Sequence, residues 1–240
     1  MGATFDPAPG FRGGVPNSLS ATDRSSAVTL RLPLVLALQI GLVAVAQGAH
    51  ANPGLTQILD SPDNGQHIAV SVIEPQEAGD LFTELARRSD IPHGFLLDGN
   101  YARAHKMVRI LDDRGVMAAK AWVEGELFVD SQRFGEVGLT YHVAPVVFVR
   151  EGKTPTVQVL DPSLFDRPVP YATWKAKLLA KAKAKLTRAY FTTRFAYDPD
   201  DRTKALTDYE EEPLRDMNST NRDFDRKLFM FDRATALKSH

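Results

Sequence analysis

The 240-residue chain contains no cysteine. That one absence excludes disulfides, thiolate metal sites, thiol nucleophiles and a lipid-modified N-terminal cysteine together. Neither charge is in excess: 29 basic face 30 acidic side chains, for a formal net charge of -1. Such a balance argues against a protein whose main business is wrapping a nucleic-acid backbone. A comfortable bilayer span is missing too, because the apolar run Leu32 to Ala46 is short and broken by Pro33, Gln39 and Gly41. What is present is an ordinary globular mixture, 43% hydrophobic and 25% charged, so a packed core is expected. Without a disulfide the domain must rely on that core alone, which a chain of this size can do.

The first fifty residues read as an export signal. Arg24 and Arg31 precede the apolar run, and Ala49-His50-Ala51 then supplies the small-x-small pattern of a signal-peptidase site. The expected organisation is an N-terminal extension with a cleaved signal over residues 1–51 and one domain over 52–240. The mature protein is then periplasmic or secreted and free of the membrane.

Within that domain the Asp60 to Gly65 stretch predicts a turn, followed by a strand from Ile68 to Ile73. Glu74-Pro75 opens a helix with Leu81, Phe82, Leu85 and Ala86 on one stripe. A second helix is expected from Tyr101 to about Asp113, ended by Gly115. Strands follow at Val116–Val123, Glu126–Ser131, Leu139–Arg150 and Thr156–Leu160. Residues 172–188 return to helical spacing through Trp174, Leu178, Ala182 and Leu186. Tyr190 to Tyr197 reads as a last strand and Asp223 to Leu237 as a closing helix. Helices beside a mostly antiparallel sheet make an α+β domain.

Three positions could carry chemistry. If Glu151-Gly152 closes a hairpin, paired residues sum to about 303 and His142 falls opposite Asp161, with a longer loop shifting this by a residue or two. An imidazole beside a carboxylate has its tautomer fixed, as a general base requires. The same pair also fits an ordinary cross-strand ion pair, and the residues alone leave both open. The third position is Asn100, at the junction of a loop with the second helix. A thiol at such a helix head is stabilised by the dipole and by free backbone N–H groups. Asparagine there reads instead as an N-cap whose side-chain oxygen accepts an orphan amide hydrogen.

The run Asp98 to Met107, DGNYARAHKM, resembles the motif DGCYARAHKM of the bacterial protein-glutaminases with one letter changed. Tyr141 to Pro145 (YHVAP) and Leu160 to Phe165 (LDPSLF) resemble the segments that hold that family's histidine and aspartate, in the same order and spacing. The likeness covers about residues 80–170. It implies a papain- or transglutaminase-like α+β fold, with the nucleophile-position helix packed on a mostly antiparallel sheet. The implied reaction is hydrolytic deamidation of protein-bound glutamine to glutamate and ammonia, without cofactor or metal. In that scheme Asn100 stands at the nucleophile position, His142 is the base and Asp161 orients it. An asparagine cannot form the thioester, so the resemblance implies an impaired or inactive site that still binds glutaminyl polypeptides. The competing expectations are an active enzyme by another route and a non-catalytic exported interaction protein.

Other signals weigh less. His93 and His105 lack partners at metal-ligand spacing. Arg103 and His105 fall within the matched run and fit either the cleft or helix packing. The lysine-rich stretch from Lys175 reads as a solvated helix face balanced by Glu210 to Glu212. No serine or threonine lies between Ile91 and Gly99 to stand in as a nucleophile.

Overall fold

The computed structural model describes residues 55–209, 220–222 and 225–226. The signal segment, Glu210 to Glu212 and most of the closing helix expected over residues 223–237 lie outside them. The chain opens with a hairpin, β1 (Thr56–Ser61) against β2 (Gln66–Ile73), closed by the expected turn. Next come α1 (Pro75–Ala86) and α2 (Asn100–Asp113). A long hairpin of β3 (Ala119–Ser131) and β4 (Gly135–Val149) follows, then β5 (Thr156–Val159), the two-residue β6 (Val169–Pro170), α3 (Tyr171–Leu178) and β7 (Lys185–Thr193). The strand order is β1-β2-β4-β3-β7, with β5 on β4 and β6 on β5. Every pairing is antiparallel except the short parallel contact of Val72 and Ile73 with Phe148 and Val149. This is the α+β class that the sequence predicts.

Strand β4 explains its own composition. His142 to Val149 are all buried, so both faces of the strand are covered and the apolar run is nearly continuous. Val147 and Val149 face a core made with Ala78, Phe82 and Leu85 of α1 and Met107, Val108 and Leu111 of α2. Ala144, Val146 and Phe148, of opposite parity, face Val70, Trp174 and Leu178. His142 shares that second parity, which sends its ring toward α3. The far end of the sheet is drawn together by side chains. Ser61 Oγ accepts from Phe191 N at 2.8 Å, and Asn64 Nδ2 donates to Phe191 O at 2.8 Å.

Three expectations need correction. The segments 116–123 and 126–131 form one strand with a bulge at Gly125, where φ is 151° and an added Cβ would lie 2.0 Å from Lys185 O. Glycine lets β7 cross close to that kink. The helix expected over 172–188 stops at Leu178, because only Trp174 and Leu178 find a core, and Leu186 is 45% exposed on a strand. The lysines beyond it are solvated, but they pair with the β3–β4 hairpin: Lys181 with Asp130 at 2.8 Å, Lys183 with Glu136 at 2.5 Å and Lys185 with Glu126 at 3.1 Å. Strand β1 escaped notice because little of it beyond Leu59 and Ser61 is buried.

Lys120 is fully buried on β3; its Nζ donates to Ala196 O and lies 2.9 Å from His105 Nδ1. Burial pushes the Lys120 ammonium well below its ordinary value. Burial and the neighbouring Lys120 and Arg109 hold the His105 imidazole down at about 3. Both groups therefore resist protons that the unfolded chain accepts below about 10.5 and 6.5 respectively. Stability accordingly rises as pH rises through that window. Denaturant titrations should show the unfolding free energy increasing from pH 6 to 9, with a smaller increase in Lys120→Met; an identical pH dependence in the variant would exclude Lys120 as its source.

Candidate active site

The site begins at the loop entering α2. Gly99 adopts a left-handed conformation (φ 70°, ψ 15°), and its N–H donates to Asp98 Oδ1 at 2.6 Å. Arg103, from the first turn, folds back under the loop and donates through Nη1 to Phe95 O at 2.6 Å and Asp98 O at 2.7 Å. The guanidinium is 1% exposed, and burial lowers its pKa to about 10 although Asp161 and Asp98 oppose the shift. Arg103 thus clamps the loop from beneath and does not line the cleft.

The geometry corrects the N-cap reading of Asn100. Gly99 is the N-cap, and no side chain caps the helix. Asn100 is the first helical residue and reaches sideways to β4, where its Nδ2 donates to Tyr141 O at 3.1 Å. On β4 the carbonyl of Pro145 accepts Leu160 N, and Tyr141, four residues earlier, presents its carbonyl to the same edge. The head of α2 is therefore fastened to the strand beside His142. Asn100 Oδ1 is buried without a hydrogen-bond partner.

His142 and Asp161 meet as expected, Nε2 to Oδ2 at 2.8 Å, with both side chains 2% exposed. Their register is corrected: Val146 pairs with Val159 and Val149 with Thr156, so paired residues sum to 305 and not 303. The ladder ends at Val159, and Asp161 reaches His142 from just past it. Asp161 Oδ2 also accepts Trp174 Nε1 at 2.8 Å, and Oδ1 accepts Ser163 N at 3.1 Å. Burial pushes this carboxyl up, but the charge and hydrogen bond of His142, the Trp174 indole and Arg103 more than offset it, leaving it below the usual carboxylate range. An ionised carboxylate only accepts, so Nε2 carries a proton; in the neutral ring Nδ1 is then an acceptor, and in the imidazolium a donor. That Nδ1 is buried and has no partner.

Trp174 is the site residue that the sequence reading missed. Its indole lies 5.8 Å from the imidazole at 33° while donating to the carboxylate behind it. Helical spacing explained it as core, yet a buried indole N–H needs an acceptor, and that requirement was the available signal. Thr220 was missed as well. Its side chain is buried against Gly99, so a hydroxyl does lie near position 100 after all. It is not bonded to His142, whose Nδ1 is unpartnered. The remaining candidates lie elsewhere: His105 joins Lys120, and His93 Nε2 lies 2.9 Å from Leu85 O. Among the described residues no group of three His, Asp or Glu is placed to hold a metal ion. Nor is any of their helices long and apolar enough to cross a membrane.

The model of a family described as Glutaminase matches residues 78–178, the stretch holding Asn100, His142 and Asp161. Over that stretch the chain is similar to the protein-glutaminase family. Among solved structures, a crystal structure of protein-glutaminase is 25% identical with a TM-score of 0.52, the match covering 61% of this chain and 84% of that one. The NMR structure of protein-glutaminase from Chryseobacterium proteolyticum is 26% identical with a TM-score of 0.52, covering 60% and 84%. The match to a crystal structure of pro-protein-glutaminase spans about half of each, 52% of this chain and 49% of that one, at 27% identity and a TM-score of 0.49. No curated protein sequence matches the chain.

Replacing Trp174 by Phe keeps a ring beside the imidazole and deletes one donor to Asp161. The expected loss is about 1–3 kcal/mol of stability, together with a rise in the Asp161 carboxyl pKa seen by carboxyl-carbon NMR titration. An unmoved carboxyl would show that the indole does not hold it.

Proposed function

We propose that this protein-glutaminase-like domain binds glutaminyl side chains of polypeptides at a site whose turnover is lost or strongly impaired, because Asn100 stands where the reaction needs a thiol. The observation that carries the reading is the fastening of Asn100 beside an imidazole locked by a buried carboxylate. A thiol there would have the helix head to stabilise its anion and His142 to manage protons. The nitrogen of a carboxamide is delocalised into its carbonyl, is hardly basic and has no anion near neutral pH. Loss of a nucleophile costs several orders of magnitude in rate.

The same geometry supports binding. Asn100 Oδ1 and, with the His142 ring neutral, His142 Nδ1 are buried acceptors without donors, on residues joined through the Tyr141 carbonyl. The –NH2 of a glutaminyl side chain offers two N–H donors. A glutamate carboxylate offers none and would meet those acceptors as a third source of electron density. The ligand class is therefore a glutamine-containing protein or peptide in its amide form. The compartment we propose is outside the cytoplasm, on the strength of the basic-apolar-small pattern ending at Ala51.

Asn100→Cys tests the reading. Ammonia release from a glutaminyl peptide should rise at least about a thousandfold over the unaltered chain and vanish again with His142→Ala. Unaltered protein turning over at about one per second or faster would refute the impairment. By calorimetry the unaltered chain should bind a glutaminyl peptide at least about tenfold more tightly than its glutamyl counterpart, in line with the cost of an unmatched buried polar group; equal affinity would refute the amide preference.

A further inference from the structure

The turn between β1 and β2 holds the only Asn-Gly link in the sequence, Asn64–Gly65. An asparagine before glycine is the amide most open to ring closure along a chain, because the following nitrogen has no side chain to hinder its approach. Gly65 is exposed, and an added Cβ would meet nothing within 4 Å. In the folded domain, however, every group that ring closure needs is engaged. Asn64 Nδ2 donates to Phe191 O at 2.8 Å and to Arg202 O at 3.0 Å, and Oδ1 accepts from Gln66 N at 3.2 Å. The Gly65 N–H donates to Ser61 O at 2.8 Å.

The same bonds join three pieces of chain. Strand β7 ends the strand order, and both backbone polar groups of Phe191 are taken by the opening hairpin, its N–H by Ser61 Oγ and its carbonyl by Asn64. Arg202 O, in the short helical turn Pro199–Thr203, accepts from Asn64 and again from Gln66 Nε2 at 2.9 Å. Converting the Asn64 amide to a carboxylate would replace two donors by an oxygen that can only accept, set between two carbonyl oxygens.

We propose that Asn64 is a modification site: the link to Gly65 deamidates when the turn opens, and the product cannot re-form the lock on β7. The Gly65 nitrogen loses its proton to solvent base and attacks Asn64 Cγ; the bond from Cγ to Nδ2 breaks and ammonia leaves. The five-membered imide then takes up one water and opens to aspartate, or to isoaspartate with the chain rerouted through Cγ. The native bonds oppose the first step by holding nucleophile and carboxamide in place, so the reaction runs from locally opened molecules. It depends on nothing that the Asn100 site binds.

Peptide mapping by mass spectrometry tests this on the unaltered chain. At mildly alkaline pH, the peptide holding Asn64 should acquire the acid-for-amide mass at least about tenfold more slowly in the folded chain than in urea. Equal rates overturn the protection, and no conversion in urea overturns the site. Asn64→Asp, the direct product, should lower Tm by at least about 4 °C. The same amide-to-acid change at Gln57, exposed on β1, should move Tm by less than about 1 °C. An Asn64→Asp chain as stable as the unaltered one overturns the lock.

Discussion

A single buried carboxylate organises this domain. Asp161 is 1% exposed and accepts from an imidazole, an indole and a backbone N–H. An ionised carboxylate in so dry a place is tolerable only when its oxygens are matched by donors. Those donors come from β4, from α3 and from the residues following Asp161 itself. Satisfying one charge therefore fixes the relation of three separate pieces of chain. The orientation of His142 follows from that arrangement: with Nε2 committed to the carboxylate, Nδ1 is left to face the site.

The head of α2 is set by a second polar constraint of the same kind. Past the end of the β5 ladder, the edge of β4 presents carbonyls that need donors, and Asn100 supplies one to Tyr141. Arg103 holds the loop behind it by two more carbonyls. The Asn100 amide thus does locally what a longer β5 would have done with a backbone N–H group. The cost is left in plain sight: Asn100 Oδ1, His142 Nδ1 and two nitrogens of Arg103 are buried without partners. Such unpaired atoms also occur away from this site, at Gln66, His93 and His105, so it is their place beside the His142–Asp161 pair, and not their number, that marks Asn100 Oδ1 and His142 Nδ1.

Much of the fold was legible because local pattern and tertiary role agree. The stripe of α1, the continuous apolar run of β4 and the turn at Asp60–Gly65 each have one reading under elementary periodicity. The His142–Asp161 encounter was legible from a hairpin count, even though the true register differs by two, because Asp161 follows just past β5 along the edge of β4 and its side chain reaches back to His142. Where reading failed, two patterns were locally equivalent. Trp174, Leu178, Ala182 and Leu186 have helical spacing, yet the last two lie beyond the end of α3, and nothing in the spacing says where the core stops. Asn100 next to Gly99 satisfies every local rule for an N-cap, yet the left-handed Gly99 takes that place and the Asn100 side chain bonds the carbonyl of Tyr141 instead.

The sequence by itself determined the chemistry available: no thiol anywhere, an amide at the head of a helix, an imidazole within one strand run and a carboxylate just past the next. Residue identity is a covalent fact that no packing can alter. Tertiary structure alone decided which of these groups are buried, which atoms are matched and which are left bare, and who else is present. Trp174 and Thr220 enter the site from helical segments remote in sequence, and their placement depends on side-chain contacts that have no period along the chain. Local pattern carries one-dimensional information; the satisfaction of buried polar atoms is settled only when the chain has closed around them.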